Sequence, residues 1–515
     1  MMLKPTYSRI PVLALGALGC FFAGSTLLWL WLDRLPPDWD DSWYLTNSLR
    51  MYDALVEGGL PGYAKRFLTI LAVKAPLLTV LPTPFYLALG RRWHAAYMVN
   101  IPAMLLLFGT VYRIGLRCQS ARAGLLAACI TGTMPLLYGL SRWFLVEYAL
   151  TALVAAAICL LLEWQESERT GVAVLLGVTC GLGLLMKVSF PLFVICPLVY
   201  VLARSNQRGR LLLGSGIPCL ILALPWYSFN FAAAVRTALA SGFGDAAAVY
   251  GTGDVFSFSA IAGYLERVVS RGGSVYYVVL GAGLAAFVAI RRVRPSAGIK
   301  TAFLWGAPFG VFLFGVNKDV RLLAPVLPAF ALALGLLADL AIPSHRRGNA
   351  LAAALLAFPL LSMLATSFGV PFRVADIGYA RRYNRHEWPH REMLTAIYSS
   401  TRFQPAERKL VLLGTDLGSF NADNFALTAV AERLPLDIAT IAYEPDPSAV
   451  RSSMGRAAFF VYKEGGEQGS AFFNRHFEAA IEHLGANGRF LEIPFGRSLP
   501  DGGVARIFRN AAMQE

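Results

Sequence analysis

Three aspartates lie close together directly after the first apolar segment of the chain. Asp38, Asp40 and Asp41 follow the apolar run at 10–32, and a helical pattern starts at Ser42. Carboxylates are costly to place near lipid and are natural acid–base groups. One interpretation is that Asp40 or Asp41 only caps this helix, a role that aspartate fills well. Because two adjacent carboxylates exceed what a cap needs, the pattern also predicts acid–base chemistry at a membrane surface.

A further carboxylate, Glu147, stands at the start of a later apolar segment. It ends the stretch Ser141-Arg142-Trp143-Phe144-Leu145-Val146-Glu147. A charged group at the boundary of an apolar helix is by default a candidate for function, because its burial needs a compensating reason. The alternative is a simple ion pair with Arg142, five residues earlier in the chain.

Four basic residues could bind an anionic group such as a phosphate, to which Lys and Arg donate charge-assisted hydrogen bonds. They are Lys74, in an apolar stretch; Lys187, between two apolar spans; and Lys318 and Arg321, in the short connector 317–321. Two simpler roles stay open. Lys74 and its basic neighbours in the same polar segment could attract anionic lipid headgroups. Lys318 and Arg321 could snorkel, with their charged groups reaching the interface from the end of a span.

The composition indicates an integral membrane protein. Of 515 residues, 56% are hydrophobic and only 15% are charged, whereas soluble domains carry about 25% charged residues. The net charge of +14 is concentrated in short Arg-rich connectors between apolar runs, which is the positive-inside pattern of membrane proteins and not a sign of nucleic-acid binding. The seven cysteines lie in apolar spans or a basic connector without zinc-ligand spacing, so we predict neither a disulfide framework nor a zinc site.

About eleven apolar stretches are long enough to cross a membrane. They lie at roughly 10–32, 94–113, 123–141, 145–163, 171–187, 189–203, 211–230, 275–290, 299–316, 322–341 and 350–368. With the N-terminus inside, every Arg-rich connector is cytoplasmic, and an odd number of spans places the C-terminus outside. Three polar segments then share the outer side: 33–92, 231–274 and the chain after about 369.

Two of these outer segments contain predicted secondary structure. In 33–92, apolar residues at 45, 49, 52 and 56 share one face of a helix that would start at Asp40 or Asp41 and end at Gly58-Gly59. After residue 371, strands at 409–414, 436–443, 459–462 and 504–508 alternate with helices at 423–433 and 472–484. The predicted fold is therefore a mainly α-helical polytopic membrane domain, residues 1–370, with a soluble C-terminal α/β domain, residues 371–515.

In their order along the chain, these features resemble the C-type superfamily of integral-membrane glycosyltransferases. The nearest branch contains protein O-mannosyltransferases, lipid A aminoarabinose transferases and bacterial lipopolysaccharide sugar transferases. Its motifs are an acidic pair with a nearby Tyr, a Lys-Pro-Pro-like motif, an acidic residue that begins the fourth span, a Lys after a Gly-rich fifth span, and an Arg before a Leu/Pro-rich span. They are matched by Asp40-Asp41 with Tyr44, Lys74-Ala75-Pro76, Glu147, Lys187 and Arg321. The resemblance covers roughly residues 10–340.

The chain departs from the motifs of this branch at two positions. Trp43 stands where some relatives have Arg, and Ala75 is the second residue of the Lys-Pro-Pro-like motif. The contacts to a donor phosphate would then be redistributed among the other basic residues.

The resemblance implies the transfer of a hexosyl or pentosyl group, with inversion, from a polyprenyl-phosphate donor to a lipid, glycan or protein acceptor. The reaction would occur on the outer face of a bacterial plasma membrane. Asp40 would be the base, with Asp41 and Glu147 orienting the acceptor or the sugar. Donor phosphate contacts would come from Lys74, Lys187, Lys318 and Arg321, and substrate contacts from Trp43 and Tyr44. No metal site is predicted, although Asp and Glu could equally serve a divalent cation.

A different function is compatible with the same charges. A transporter or flippase for a lipid-linked or anionic solute would also use basic groups and boundary carboxylates, but transporters often show repeated halves and broken helices, which we do not find in this sequence. A membrane scaffold for the C-terminal domain would leave the charged loops unexplained. In segment 231–274 we expect contributions to an acceptor site from Asp245, Tyr250, Asp254 and Tyr264.

Overall fold

A computed structural model of the chain describes residues 9–71, 73–244, 247, 255–294, 296, 298–404 and 407–513. The chain divides into two compact units. The first, called the membrane unit, consists of Met1–Trp31, Ala64–Leu78 and Tyr97–Tyr383. The second, called the α/β unit, consists of Leu32–Tyr63, Thr79–Ala96 and Asn384–Glu515. The domain boundary predicted between residues 370 and 371 stays a prediction.

The described part of the chain contains six helices long and apolar enough to cross a membrane: Ile10–Leu32, Trp93–Cys118, Val146–Ser167, Arg208–Phe243, Val320–Ala341 and Arg346–Phe368. A further candidate, Phe258–Gly273 with Val275–Ile290, is bent by 96°. Shorter apolar helices are Leu77–Leu89, Thr170–Met186, Phe190–Arg204 and Gly298–Leu313. The predicted class, a mainly helical multi-pass membrane protein with a C-terminal sheet domain, is confirmed, while the number of about eleven spans stays a prediction.

The membrane unit is built almost entirely from helices. Its α-helices have the bounds Arg9–Leu32, Asn100–Cys118, Ala121–Thr133, Pro135–Leu140, Val146–Ser167, Thr170–Met186, Phe190–Arg204, Arg208–Phe243, Phe258–Arg267, Val275–Ile290, Gly298–Gly306, Phe309–Leu313, Leu327–Ala341 and Arg346–Phe368. A π-helical turn covers Val268–Gly273, and a 3-10 helix covers Val320–Val326.

Close helix packing in this unit uses small residues. Helices Asn100–Cys118 and Ala121–Thr133 are joined by a tight turn in which the Ser120 side chain accepts a hydrogen bond from the Ala123 N–H. A Cβ atom at Gly115 would lie 2.5 Å from the Cα atom of Gly124. Since lipid tails are as apolar as the helices, such close backbone approach supplies the van der Waals contact that holds membrane helices together.

The helix predicted at 211–230 is longer in the structure. It covers Arg208–Phe243 and so takes up the first part of the segment predicted as an outer loop at 231–274. The added turns contain Ala232-Ala233-Ala234 and further alanines, the residue with the highest helix propensity, which continues the helix past the end of the strongly apolar run. Of the four residues expected at an acceptor site, Asp245, Tyr250 and Asp254 lie outside the described residues. Tyr264 is buried in helix Phe258–Arg267.

The helix after the first apolar segment starts earlier than predicted. It covers Trp39–Thr69, because the Ser42 N–H bonds to the Asp38 carbonyl at 2.9 Å and closes the first turn there. Asp40 and Asp41 therefore lie within the first turn and not at the cap. The helical dihedral angles break only at Gly59, with φ of 59°, two residues before Pro61. The helix is therefore kinked where its end was predicted, in a conformation that only glycine adopts without strain.

The apolar face predicted for this helix is only partly confirmed. Leu45 and Leu49 are fully buried, whereas Val56 is 58% exposed. Shorter elements complete this stretch of chain: α-helices Leu77–Val80 and Thr83–Leu89, then the 3-10 helix Trp93–Val99.

The C-terminal part of the α/β unit forms one five-stranded sheet. The strands are β1 Lys409–Leu413, β2 Leu436–Thr440, β3 Phe459–Glu464, β4 Phe490–Ile493 and β5 Val504–Asn510. Their order is β2-β1-β3-β5-β4. Strand β1 pairs in parallel with β2 and β3, while β5 is antiparallel to β3 and β4.

Apolar residues cover both faces of this sheet. Along β1, Val411 and Leu413 belong to one buried cluster and Leu412 to the other, as the two-residue period of a strand requires. The helices beside the sheet are His390–Ser399, Ala422–Ala431, Pro447–Arg456 and Phe477–Ala486, with a final 3-10 turn Ala511–Met513. All four predicted strands are confirmed. The helix predicted at 472–484 starts only at Phe477, and β4 and the helices at 390–399 and 447–456 were not predicted.

We predict that replacing Asp501 with Asn destabilises the C-terminal sheet. The Lys463 ammonium is 1% exposed, lies 2.6 Å from the Asp501 carboxylate and also donates to the Gly465 and Glu467 carbonyls. Breaking a buried pair by removing one partner costs about 3–5 kcal/mol. The expected loss of about 3 kcal/mol is measurable as the opening free energy of β3 and β5 amides in hydrogen exchange. The control Asp437→Asn, in the exposed pair with Arg408, should lower the opening free energy by less than about 1 kcal/mol. Equal losses in the two variants would contradict a stabilising role for the buried Lys463–Asp501 pair.

The same pair predicts a pH dependence of domain stability. Burial alone would raise the pKa of Asp501, but hydrogen bonds from Lys463 and from the Gly503 and Glu467 backbone N–H groups outweigh it and hold the pKa below its usual value. A lowered carboxyl pKa adds stability above the unfolded pKa of about 3.9, and this contribution is lost as the pH falls through the lower folded pKa. In Asp501→Asn, the opening free energy of the sheet should therefore lack the part that wild type loses as the pH falls through the folded pKa of Asp501.

Candidate active site

The candidate site of the membrane unit is built around Glu147. Helix Val146–Ser167 begins after Leu145, whose backbone is extended, so Glu147 occupies its first turn. A carboxylate is favoured there by the positive end of the helix dipole. The Glu147 side chain is only 4% exposed, and an isolated buried charge costs several kcal/mol. The carboxylate therefore requires cationic partners.

Lys187 is the first of these partners. Its Nζ atom lies 2.8 Å from Oε1 of Glu147. Lys187 is the residue directly after helix Thr170–Met186, and its backbone N–H bonds to the Gly183 carbonyl. Its side chain is 28% exposed. Within the described residues its ammonium contacts this one acceptor, which leaves two of its three N–H donors for a ligand.

Arg321 is the second partner, and it is shared with Asp319. The Arg321 Nε atom lies 4.0 Å from Oε1 of Glu147 and 2.9 Å from Oδ2 of Asp319. The other carboxylate oxygen of Asp319 accepts the Arg321 backbone N–H at 3.0 Å and so caps the 3-10 helix Val320–Val326. The cap fixes the start of the helix from which the guanidinium projects toward the carboxylates.

Tyr379 closes the cluster on the side of Asp319. Its hydroxyl lies 3.3 and 3.4 Å from the two Asp319 carboxylate oxygens, which is long for an O–H···O bond. Burial, reinforced by the negative charges of Asp319 and Glu147, holds the pKa of Tyr379 well above its ordinary value, against the opposing effect of Arg321. The phenol is therefore protonated at neutral pH and points a donor at the carboxylate.

The backbone near Tyr379 is held by the turn that precedes Glu147. The Trp143 indole N–H donates to the Tyr379 carbonyl at 3.1 Å, and the two rings meet edge to face at 5.7 Å. A Cβ atom at Gly139 would lie 2.7 Å from the Tyr379 carbonyl carbon, so this close approach requires glycine. We call Glu147, Lys187, Asp319, Arg321 and Tyr379 the Glu147 cluster.

The charges of the Glu147 cluster suit the binding of an anion. Its two cations are 28% and 22% exposed, whereas the carboxylates of Glu147 and Asp319 are 4% and 11% exposed. Within the described residues, Oε2 of Glu147 has no hydrogen-bond partner. The buried carboxylates thus hold two cations at a fixed position and leave them partly accessible to a ligand.

The structure brings together three of the predicted site residues: Glu147, Lys187 and Arg321. The sequence left open a pair between Arg142 and Glu147, whereas the described ion-pair partners of Glu147 are Lys187 and Arg321. The Arg142 guanidinium instead donates to the Ser367 hydroxyl and lies over aromatic rings, among them that of Trp29.

Lys318 contacts other groups, although it is close to Arg321 in sequence. Its ammonium is buried, donates to the Phe312 and Leu313 carbonyls, and lies 4.9 Å from the centre of the Tyr264 ring. These carbonyls end the short helix Phe309–Leu313, so the described contacts of Lys318 are structural. Lys74 is half-buried in a bend before helix Leu77–Val80. The phosphate-binding roles of both lysines stay predictions.

The first turn of helix Trp39–Thr69 contains Asp40 and Asp41 and is called the acidic turn; it belongs to the α/β unit. Asp41 and Tyr44 are buried, Asp40 is half-buried, and the Trp43 ring meets the Tyr44 ring edge to face at 5.1 Å. The turn thus combines a partly accessible carboxylate with an ordered aromatic pair. The described residues contain no group of three or more His, Cys, Asp or Glu side chains placed to hold a metal ion.

Sequence reasoning missed two residues of the Glu147 cluster. Asp319 carries a local signal, since an Asp directly before a helical turn often caps it, and it stands between the two basic residues of its connector. Tyr379 lies 58 positions after Arg321 (379 − 321) in a stretch without a recognisable motif. Only the fold brings it to Asp319.

Residues 74–229 match the family described as dolichyl-phosphate-mannose-protein mannosyltransferase. No curated protein gives a significant match to the chain.

Solved structures match nearly the whole chain. ArnT from Cupriavidus metallidurans, in its complex with undecaprenyl phosphate, is 14% identical with a TM-score of 0.62, over 96% of this chain and 98% of that one. The oligosaccharyltransferase AglB from Archaeoglobus fulgidus is 14% identical with a TM-score of 0.55, over 89% and 70%. The arabinofuranosyltransferase AftD from Mycobacteria is 14% identical with a TM-score of 0.53, over 96% and 40%.

These matches agree with the resemblance predicted from the order of the sequence motifs. The family match covers Lys74, Glu147 and Lys187, and the structural matches extend beyond it to the sheet domain. The chain therefore shares the fold of these solved structures, and its residues 74–229 match the mannosyltransferase family.

Proposed function

We propose that the protein transfers a sugar from a polyprenyl-phosphate donor to a lipid, glycan or protein acceptor, with inversion at the anomeric carbon. The reaction takes place on the outer face of a bacterial plasma membrane, the face to which the positive-inside pattern assigns the acidic turn and the Glu147 cluster. The observation that carries the proposal is the pair of partly exposed cations, Lys187 and Arg321, at a buried carboxylate.

The two cations suit the leaving group of such a transfer. When the bond between the anomeric carbon and the phosphate oxygen breaks, the lipid phosphate gains negative charge. Lys187 and Arg321 stabilise that charge through electrostatic and hydrogen-bond contacts fixed before the reaction. The complex of the similarly folded ArnT with undecaprenyl phosphate supports a lipid phosphate as the ligand. Glu147 holds both cations in place, in addition to the orienting role expected for it from the sequence.

Asp40 acts as the base in this proposal. Its carboxylate takes the proton of the acceptor hydroxyl while the oxygen attacks the anomeric carbon, and the polyprenyl phosphate leaves from the opposite side in the same displacement. Asp40 lies in the first helical turn, where the helix dipole favours the ionised form that a base requires. Asp41 orients the acceptor or the sugar, and Trp43 and Tyr44 supply substrate contacts. Lys74 and Lys318 remain further candidates for the phosphate.

We predict that Asp40→Asn lowers the transfer rate about 100-fold or more, because a general base contributes about 10²- to 10⁴-fold and an amide cannot accept the proton. The measurement is transfer from a labelled polyprenyl-phosphate sugar by purified protein in lipid. Glu57→Gln, an exposed change on the same helix, should keep the wild-type rate. A wild-type rate in Asp40→Asn would remove Asp40 from the reaction. Movement of the donor without a covalent product would favour a transporter or flippase.

We predict that Lys187→Ala weakens binding of undecaprenyl phosphate about 10- to 100-fold, since a hydrogen bond to a charged group contributes about 1.5–3 kcal/mol. Binding is measured with the purified protein and the lipid carrier alone, so the result does not depend on the sugar or the acceptor. Lys300→Ala is the matched control, because the sequence topology places Lys300 at the cytoplasmic end of its span.

A double variant separates the loss of ligand contacts from damage to the fold. Lys187→Ala alone leaves the Glu147 carboxylate buried with a weaker set of partners, whereas Lys187→Ala with Glu147→Ala removes both charges. The double variant should recover thermal stability but not lipid binding. Wild-type affinity in either variant would exclude Lys187 from the phosphate site.

A further inference from the structure

Residues 33–63, called the loop, contain Asp40 and are attached to the C-terminal sheet domain at three places within the α/β unit. The first lies directly after the first apolar helix. The Arg34 N–H donates to the Asn384 carbonyl at 2.6 Å, and the Asn384 N–H donates to the Asp33 carboxylate at 2.7 Å. This reciprocal pair fixes the chain where it enters the loop.

The second attachment holds the acidic turn itself. The Trp39 indole N–H donates to Oδ1 of Asp416 at 2.5 Å. The Asn424 side-chain NH₂ donates to the Pro37 carbonyl and, at 3.2 Å, to the Ser42 hydroxyl, which also donates to the Pro37 carbonyl. These contacts lie on either side of Asp40 and Asp41 in the chain.

The third attachment lies further along helix Trp39–Thr69, called the loop helix. Arg91 binds the Asp53 carboxylate through two hydrogen bonds of 2.6 and 2.7 Å, and it donates to the Val430 and Ala431 carbonyls at 3.0 Å. Those carbonyls lie at the end of helix Ala422–Ala431. A single guanidinium thus joins the loop helix, the segment after it and the C-terminal domain.

The two polar groups of the Asn424 side-chain amide make contacts with different parts of the unit: the oxygen with its own helix and the NH₂ group with the loop. Its Oδ1 accepts the Asn421 N–H at 3.0 Å and completes the capping box of helix Ala422–Ala431. Its NH₂ group serves only the loop contacts among the described residues. Replacement of the NH₂ by a carboxylate oxygen therefore removes the contact to the loop while the acceptor of the capping box is kept. A carboxylate in the first turn also suits the helix dipole.

Asp416 is held in a comparable way from within the domain. The Asn474 side chain binds both the N–H and the carbonyl of Asp416, at 2.8 and 2.9 Å. The Asp416 side chain is buried, so its carboxylate is presented to Trp39 from a backbone that cannot easily shift. The position of the acceptor for Trp39 is therefore fixed by contacts inside the domain.

We infer that Asn424 and Asp416 are positioning residues for the proposed transfer: the C-terminal domain holds the first turn of the loop helix so that Asp40 is placed for proton transfer. This inference rests on the proposed function and gives the C-terminal domain a role in catalysis. A shift of about 1 Å in a reacting group can reduce a rate about 100-fold, and the contacts on either side of Asp40 prevent such a shift.

The test compares Asn424→Asp with Asn510→Asp. Asn510 is also a buried amide that accepts a backbone N–H and donates to a backbone carbonyl, that of Ala457, but both contacts lie inside the domain. In the full-length protein, Asn424→Asp should lower kcat about 10- to 100-fold and leave KM for the donor within about twofold, because the phosphate contacts are unchanged. Asn510→Asp should leave kcat within about twofold of wild type. Trp39→Phe, which removes the donor to Asp416 without touching the capping box, should reproduce the loss of kcat.

Hydrogen exchange supplies a readout that does not depend on activity. In Asn424→Asp, amides of residues 39–49 should exchange about 5- to 10-fold faster, as expected for the loss of one or two hydrogen bonds. In Asn510→Asp they should exchange as in the wild type. Equal losses of kcat in the two Asn variants, or wild-type kcat and exchange in Asn424→Asp, would overturn the inference. Failure of the proposed function is recognised separately: the wild-type protein would then form no covalent transfer product, or Asp40→Asn would keep the wild-type transfer rate, while the exchange difference persists.

Discussion

The ion pair between Glu147 and Lys187 is the interaction on which the membrane unit's candidate site depends. A carboxylate that is 4% exposed at a membrane-spanning helix is costly unless cations and a helix N-terminus compensate it. The cations that compensate it are Lys187, at the end of helix Thr170–Met186, and Arg321, in the short connector. Asp319 then fixes Arg321, and Tyr379 contacts Asp319. One buried charge therefore determines where four separate segments meet.

This arrangement also explains why the cations are available for chemistry. A Lys or Arg free at a membrane surface samples many rotamers and loses that freedom when it binds a phosphate. At the Glu147 cluster most of this rotamer entropy is already lost on folding, because the carboxylates fix both cations while leaving them partly exposed. The α/β unit applies the same principle to the acidic turn, whose neighbours are bound by Asp416 and Asn424.

Sequence reasoning recovered the parts of the molecule that leave a local or periodic signal. The mainly helical membrane class, the four predicted strands and three members of the Glu147 cluster were predicted because hydropathy, alternation and charges at span ends can be read directly from the chain. It could not predict that helix Arg208–Phe243 continues beyond residue 230, since the alanine-rich turns are not strongly apolar. No local sequence signal identifies Tyr379, Asp416 or Asn424, because their importance arises only from contacts over long sequence separations. Lys318 is the opposite case: its charge made it a predicted phosphate ligand, yet its described contacts are to the Phe312 and Leu313 carbonyls and the Tyr264 ring.

The most direct measurement is a structure of the protein in a lipid environment with bound undecaprenyl phosphate. If the Glu147 cluster is the site of the leaving group, the phosphate will lie within hydrogen-bond distance of the Lys187 Nζ atom and beside the Arg321 guanidinium. The Lys187–Glu147 contact will persist in the complex. A phosphate bound at the Arg-rich connectors, with the cluster unchanged and unoccupied, would contradict the central claim.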